Sequence, residues 1–419
     1  MSTSAKEQTG LDAVSNAAQG AMILIADKFA TSGIETLQSL GHQVVCDPSI
    51  DADGLAEAVT RLDPHVLVVR STKVREDAID AGRRLALIVR AGAGTDNIDV
   101  AAASERGVPV ANCPGKNAIA VAELAWGLIL ACDRRIPDQV RDLRAGEWKK
   151  KVYAKTSGLA DRTLGIVGLG RIGEAIASRG NAFDMRVFAW SRNISEARAA
   201  AAGCHACENL LNLARMSDVV CVSIAANDET KGLVSREFLE AMKPGATLIN
   251  TSRGSVVDEP ALCDAVRAKS LRVGLDVYWD EPGSGDATFS PEIASLPGVY
   301  GTHHVGASTD QAQEAIAMET IRVVREHLER GEVPNCINLA EGTGAATLTV
   351  RHLNRPGVLA SVCDLLSRHD LNVEDMENVI FTGGAAASAR IRLSAIPDTG
   401  VTREIAERPN VLSVDLTEH

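Results

Sequence analysis

No long apolar run crosses this sequence. The longest, from Ala118 to Cys132, is broken by Glu123 and falls short of the roughly 20 residues that span a bilayer, so neither a transmembrane helix nor a membrane partner is expected. Residues 1–20 lack the apolar core of a signal peptide and read as a loose, flexible leader, which points to a cytoplasmic protein. Positive charge is scarce: Lys and Arg number 43 against 55 Asp and Glu, a formal net charge of −12. That balance excludes a general nucleic-acid binder, and any anionic substrate must be met by a local basic cluster. The nine cysteines are odd in number and scattered through apolar segments, which suits a reduced compartment rather than a disulfide framework. Cys204 and Cys207 enclose His205 in a C-x-x-C, but no second pair follows, so no metal is expected.

What is present is a long chain with much apolar material, 419 residues and 45% hydrophobic, beyond the size at which a single core stops growing. From Met22 onward, β-branched runs (MILIAD, VLVVRS, LALIVRAG, VPVANC) alternate with helical stretches, the pattern of a parallel sheet with covering helices. A helical pattern over 117–130 leads into a charged segment, RRIPDQVRDLRAGEWKKK, that reads as a boundary. A second series of six strands then starts at Thr163 and makes a complete doubly wound sheet. After His304, Ser308 and Gln311 form a capping box for a helix ending at Gly331 that returns the chain to the first domain. The last 75 residues read strand 347–353, helix 356–369, strand 371–381, a Gly383-Gly384 turn, strand 387–395, helix 401–408 and strand 411–416, the ferredoxin-like β-α-β-β-α-β order.

The expected class is therefore α/β, with two doubly wound parallel-sheet domains, a substrate domain and a Rossmann NAD(P)-binding domain, plus a small C-terminal ferredoxin-like domain. The expected limits are a leader at 1–20, a substrate domain at 21–120 and 308–337, a dinucleotide-binding domain at 121–307, a linker at 338–344 and the small domain at 345–419.

Gly168, Gly170 and Gly173 follow one strand and open a helix. The glycines give a tight turn, close approach to a pyrophosphate and close helix–strand packing, while the helix N-terminus attracts the phosphates. The next strand should end in an acidic residue that binds the ribose 2′-hydroxyl of NAD; Ser191 and Arg192 stand there instead. A neutral residue beside a cation leans toward NADP(H) over NAD(H).

Three later strands end near Arg253, Glu281 and His304. Carboxyl ends of strands in an open α/β sheet face one crevice, so these side chains converge. A His can take the hydroxyl proton as carbon loses hydride, a carboxylate can stabilise the imidazolium, and an Arg can hold a substrate carboxylate in two places. In the first domain, Arg70 and Ser71 end one strand, and Arg90 with the amides of Ala91 and Gly92 ends the next, a fitting place for an anionic substrate.

The order of these segments, with VRAGAGTDNID and VAELAWGLIL, resembles the D-isomer-specific 2-hydroxyacid dehydrogenases from Met22 to about Gly331. The resemblance implies catalytic roles for Arg253, Glu281 and His304. It implies cofactor contacts at Gly168, Gly170, Arg171, Ile172 and Gly173, with Thr251, Asp276 and Gly306 on the nicotinamide side. Ser191 and the His303-His304 pair depart from the family pattern. The C-terminal segment resembles an ACT domain, and chains carrying one in this family include phosphoglycerate dehydrogenases. From that resemblance follow 3-phosphoglycerate as substrate, oxidised to 3-phosphohydroxypyruvate at the start of phosphorylated L-serine synthesis, and a homo-oligomer, dimer or tetramer, in which Arg134 or Arg135 reaches a neighbouring subunit's substrate. L-serine as a feedback effector, held by His352, Asn354 and Asn372, also follows. A glyoxylate or hydroxypyruvate reductase and a dinucleotide-sensing corepressor-like scaffold are the competing readings.

Overall fold

The computed structural model describes residues 20–282, 287–340 and 344–419, which form two compact units, one running to Asn338 and the other from Leu339. The expected leader, apart from Gly20, and residues 341–343 of the expected linker lie outside the described residues.

The larger unit contains two parallel sheets. The first has strands β1 (Met22–Ile25), β2 (Gln43–Cys46), β3 (Val66–Val69), β4 (Leu87–Arg90) and β5 (Val110–Asn112), in the order β2-β1-β3-β4-β5. VLVV of β3 is buried throughout, as a strand covered on both faces by helices must be. The helix Asp310–Arg330 returns to this sheet, and Ile316, Ile321, Val323 and Val324 share a core with Ile23, Ile25, Val66 and Val89. Its cap lies one residue later than the sequence suggests. Thr309, not Ser308, accepts the N–H of Ala312, while the Ser308 hydroxyl takes a hydrogen bond from Arg70. Gly331 ends the helix at φ 72°, a left-handed cap suited to glycine.

The second sheet has β6 (Thr163–Val167), β7 (Arg186–Trp190), β8 (His205–Ala206), β9 (Val219–Val222), β10 (Thr247–Asn250), β11 (Arg272–Leu275) and β12 (Val299–Gly301), in the order β12-β11-β10-β9-β6-β7-β8. It has seven strands rather than six, because the two-residue β8 adds an edge. The strand order reverses at β6, which places the ligand crevice of a doubly wound sheet there. The charged segment lies between the last strand of the first sheet and the first strand of the second, and it is itself helical: it forms the helices Ile136–Arg144 and Lys150–Tyr153, with Pro137 in the first turn, where its missing N–H costs nothing.

The smaller unit is an antiparallel sheet of β13 (Ala346–Leu353), β14 (Val373–Ile380), β15 (Ala386–Leu393) and β16 (Val411–Glu418), in the order β14-β15-β13-β16. Alternate residues of β13 and β15 (Leu348, Val350, Ala389, Ile391) bury one face against the helices Val358–Arg368 and Thr399–Ala406. Among the described residues, no helix is long and apolar enough to cross a membrane.

Candidate active site

The turn after β6 is built for close contact. Gly168 has φ 101°, and a Cβ there would lie 2.8 Å from the Ser223 carbonyl oxygen. A Cβ on Gly173 would lie 2.2 Å from the Gly168 carbonyl, so the helix Arg171–Ala182 can approach its strand only with glycine here. A Cβ on Gly170, by contrast, would meet nothing within 4 Å, which leaves an open approach to the N–H groups that start the helix. Ile172 packs into the core beneath, and the Arg171 side chain lies exposed beside Gly115. After β10, Thr251 is buried and its hydroxyl has no partner, a polar atom waiting for a ligand group. This open cradle and orphaned hydroxyl fit a dinucleotide. Ser191 and Arg192 follow β7 at the rim, and Arg192 forms an ion pair with Glu229.

At the ends of β10, β11 and β12 the three predicted groups come to one edge of the sheet. His304 Nδ1 lies 2.5 Å from Glu281 Oε1, which leaves Nε2 as the free ring nitrogen, while Glu281 Oε2 accepts the N–H of Tyr278 at 3.4 Å. His304 has φ 52°, an uncommon conformation for a side chain with a Cβ. Asp276, fully buried, enforces it: its backbone carbonyl accepts the His304 N–H at 2.8 Å. Its carboxylate takes hydrogen bonds from Thr302 Oγ1 (2.6 Å) and from the N–H groups of Val305 and Gly306 (both 2.9 Å). Asp276 and Gly306 thus hold the histidine loop, a task the sequence does not reveal. His303 is exposed beside it.

Arg253 reaches the first sheet's loop. Its Nε and Nη2 donate to Asp96 at 3.2 and 3.0 Å, and Nη1 donates to the Ser252 carbonyl at 2.8 Å. A guanidinium has five N–H groups, so three engaged bonds leave one N–H on each Nη for a carboxylate. Burial pushes the Asp96 carboxyl up, but the hydrogen bonds and charge of Arg253 outweigh it and hold the group below its ordinary range. Asp96 lies within a glycine-rich loop, and only the fold shows which cation it faces.

Arg90 is the most deeply placed cation of the cleft. Burial, then the neighbouring charge of Arg253, lowers its guanidinium to about 10, and its Nε is buried without a partner. It remains charged at neutral pH. Gly92, at φ 156°, leaves room for this side chain, since a Cβ would collide with its Nη1. Ala91 is buried at the end of β4. The backbone N–H groups of Arg70, Ser71 and Thr72 all point at Asp27 Oδ2 (2.7, 3.0 and 3.1 Å), which fixes the exit from β3. Arg70 and Lys28 line an open hollow together with Phe29, Asp310, Gln313 and Glu314, so two carboxylates answer the two cations there. Arg134 and Arg135 lie elsewhere, near the start of β11, whose Arg272 donates to the carbonyls of Cys132 and Asp133. They sit at the opposite end of the sheet from the site. Arg135 pairs with Asp138, and Arg134 is exposed.

In the smaller unit His352 is buried, with Nδ1 against the Leu353 carbonyl (2.8 Å) and Nε2 against Asn378 Oδ1 (3.2 Å). Asn354 donates to the Gly384 carbonyl nearby. Asn372 is at the other end of the sheet, where its carbonyl accepts the N–H of Ser394. The eight-residue β13 separates the two ends by roughly 25 Å. Asn378 is a neighbour of His352 that sequence reasoning missed.

Residues 126–306 match the family model described as "D-isomer specific 2-hydroxyacid dehydrogenase, NAD binding domain". A hydroxypyruvate reductase of Thermotoga maritima is 37% identical over 304 residues, which cover 72% of this chain and 95% of that protein. The chain belongs to the D-isomer specific 2-hydroxyacid dehydrogenase family. Other members of this family extend the likeness: a D-3-phosphoglycerate dehydrogenase of Escherichia coli is 31% identical over 358 residues, 84% of this chain and 86% of that one. Another, of Methanocaldococcus jannaschii, is 36% identical over 320 residues, 76% of this chain. The chain spans 59% of that relative's length. The larger unit accordingly carries the family's NAD(P)-binding Rossmann sheet, and the smaller has the strand order of an ACT domain.

Proposed function

We propose that this protein is an NAD(P)-dependent D-2-hydroxyacid dehydrogenase that oxidises 3-phosphoglycerate to 3-phosphohydroxypyruvate, the opening step of phosphorylated L-serine synthesis. The observation that carries the dehydrogenase reading is the His304–Glu281 pair at 2.5 Å, set on the same sheet edge as Arg253 and the glycine turn. A bound nicotinamide supplies the hydride acceptor. Arg253, steadied by Asp96, grips the substrate carboxylate with its two free N–H groups. His304 Nε2 takes the hydroxyl proton as C2 gives up hydride, and Glu281 stabilises the imidazolium through Nδ1. Run backward, His304 returns the proton to the carbonyl oxygen.

The phosphorylated substrate is supported by the cations on the first sheet. The Nε of Arg90 is buried without a partner, and Arg253 and Arg70 add their charges nearby, so an anionic group finds local positive charge in a protein whose overall charge is negative. A second reading, a hydroxypyruvate or glyoxylate reductase, draws on the near-complete span of the Thermotoga maritima relative. Steady-state assays of 3-phosphoglycerate oxidation and of hydroxypyruvate and glyoxylate reduction, each with both dinucleotides, decide between them. The proposal fails if kcat/KM for 3-phosphoglycerate is below that for both unphosphorylated acids.

We further propose a homo-oligomer, regulated by L-serine through the ACT domain, in the cytoplasm. Exposed Ile136, Leu143, Trp148 and Val152 support the first, an apolar strip beside Arg134 that a second copy would cover. Nine free thiols suit the reducing location.

A further inference from the structure

Two loops meet over the glycine turn. Strands β7 and β9 lie on either side of β6, so Ser191-Arg192 at the end of β7 and residues 223–230 after β9 rise on opposite flanks of Gly168. The second loop is pressed onto the turn, because Ser223 Oγ donates to the Gly168 carbonyl at 2.8 Å. Its tip is locked. Asn227 Oδ1 accepts the N–H groups of Glu229 (3.1 Å) and Thr230 (3.0 Å), and Thr230 Oγ1 donates to the Ala225 carbonyl at 2.7 Å. The backbone of Glu229 is therefore fixed, and its carboxylate crosses to the Arg192 guanidinium.

Both side chains are about 70% exposed (71% and 68%), and an isolated pair so exposed contributes little to stability. Its position matters more. The end of the second strand is where such a sheet reads the ribose 2′ position. A free Arg192 would attract a 2′-phosphate, but here its charge is already answered, and an incoming phosphate would meet the Glu229 carboxylate. A 2′-hydroxyl, by contrast, can donate a hydrogen bond to that same carboxylate.

We propose that Glu229, tethered by Arg192, supplies from the β9 loop the ribose-reading carboxylate that β7 lacks at Ser191, and thereby makes this chain prefer NAD(H) to NADP(H). The inference rests on the dehydrogenase reading and adds a specificity-determining residue to it. It reverses the lean toward NADP(H) that Ser191 and Arg192 give when read alone.

The test is a direct binding titration of the full chain with NADH and with NADPH, followed by nicotinamide fluorescence, with no substrate present. The wild-type protein should bind NADH about tenfold more tightly, the size of one charge contact near a surface. Glu229→Gln should weaken NADH a few-fold and tighten NADPH by about tenfold, whereas Glu229→Asp should keep the wild-type order. Arg192→Ala should leave NADPH weak. A wild-type preference for NADPH, or a ratio unmoved by Glu229→Gln, overturns the role of Glu229 while leaving the dehydrogenase reading intact. If neither nucleotide binds, the dehydrogenase reading itself falls and takes this inference with it. Both positions are exposed, so unchanged thermal unfolding of each variant separates a lost contact from a lost fold.

Discussion

Asp96 and Arg253 lie 157 residues apart in sequence and meet as a two-pronged pair, Nε to Oδ2 at 3.2 Å and Nη2 to Oδ1 at 3.0 Å. The pair joins the glycine-rich loop after β4 to the segment after β10, so it sets the angle at which the free end of Arg253 faces the cleft. Replacing Asp96 by Ala releases that angle. The expected outcome is a fall of roughly 10- to 100-fold in kcat/KM, since small errors of placement cost this much in an oriented site. Asp96→Asn keeps one acceptor and should fall between. An unchanged kcat/KM in Asp96→Ala would show that Arg253 is held by Ser252 alone.

The histidine pair allows a sharper test. His304→Ala removes the proton acceptor and should lower turnover by roughly 10²–10⁴-fold with dinucleotide affinity unchanged. His303→Ala, which changes an exposed side chain, should keep turnover within a few-fold. The reverse pattern in steady-state kinetics would move the assignment by one residue. Glu281→Gln should act through His304, lowering turnover while sparing the dinucleotide site.

How far the sequence discloses such relationships depends on how local they are. Gly168, Gly170 and Gly173 are legible because turn, strand and helix lie within one short stretch, and the tight approaches at Gly168 and Gly173 include backbone contacts. Arg253, Glu281 and His304 were legible as strand ends. Strand β2 was missed because Gln43–Cys46 forms a partly exposed edge without a strong apolar signal, and β8 because two residues carry no period. The charged segment after Arg134 hid a helix whose apolar positions, Ile136, Val140 and Leu143, face outward instead of into a core. Asp96 and Glu229 could not be read as partners of Arg253 and Arg192, because those pairings exist only once separate strands are laid side by side.

Acid should weaken the larger unit through Glu319. Its carboxylate, mostly buried, accepts from Arg322 (2.6 Å), Asn335 (2.7 Å) and Lys116 at 3.2 Å. The Arg322 hydrogen bonds, helped by Asn335 and Lys116 against the effect of burial, lower its pKa from 4.5 to about 2. A folded pKa below the unfolded one stabilises the fold above the unfolded value, and that stability is lost as pH falls from about 4.5 toward 2. Glu319→Gln should therefore cost about 3 kcal/mol at pH 7 and much less near pH 2. Urea unfolding at the two pH values measures this, and an equal cost at both would assign the effect to packing.

Regulation gives the last prediction. His352 and Asn354 lie at one end of the C-terminal sheet and Asn372 at the other, roughly 25 Å apart, so one copy cannot close all three around an amino acid. Strand β14 is an edge strand, with Met376, Val379 and Ile380 exposed along it. A second copy packed antiparallel on this edge would carry its Asn372 toward the first copy's His352. L-serine bound there can inhibit only if it favours one domain arrangement over another, and a typical coupling of about 1–3 kcal/mol gives a 5- to 150-fold effect. Asn372→Ala should then weaken serine binding and relieve inhibition while uninhibited turnover stays unchanged. Asn378→Ala should weaken it too, because Asn378 orients the His352 ring. Calorimetry with L-serine on the full chain, paired with rate measurements, decides the matter. No heat and no inhibition at millimolar serine would leave this edge as an assembly surface and remove serine from the account.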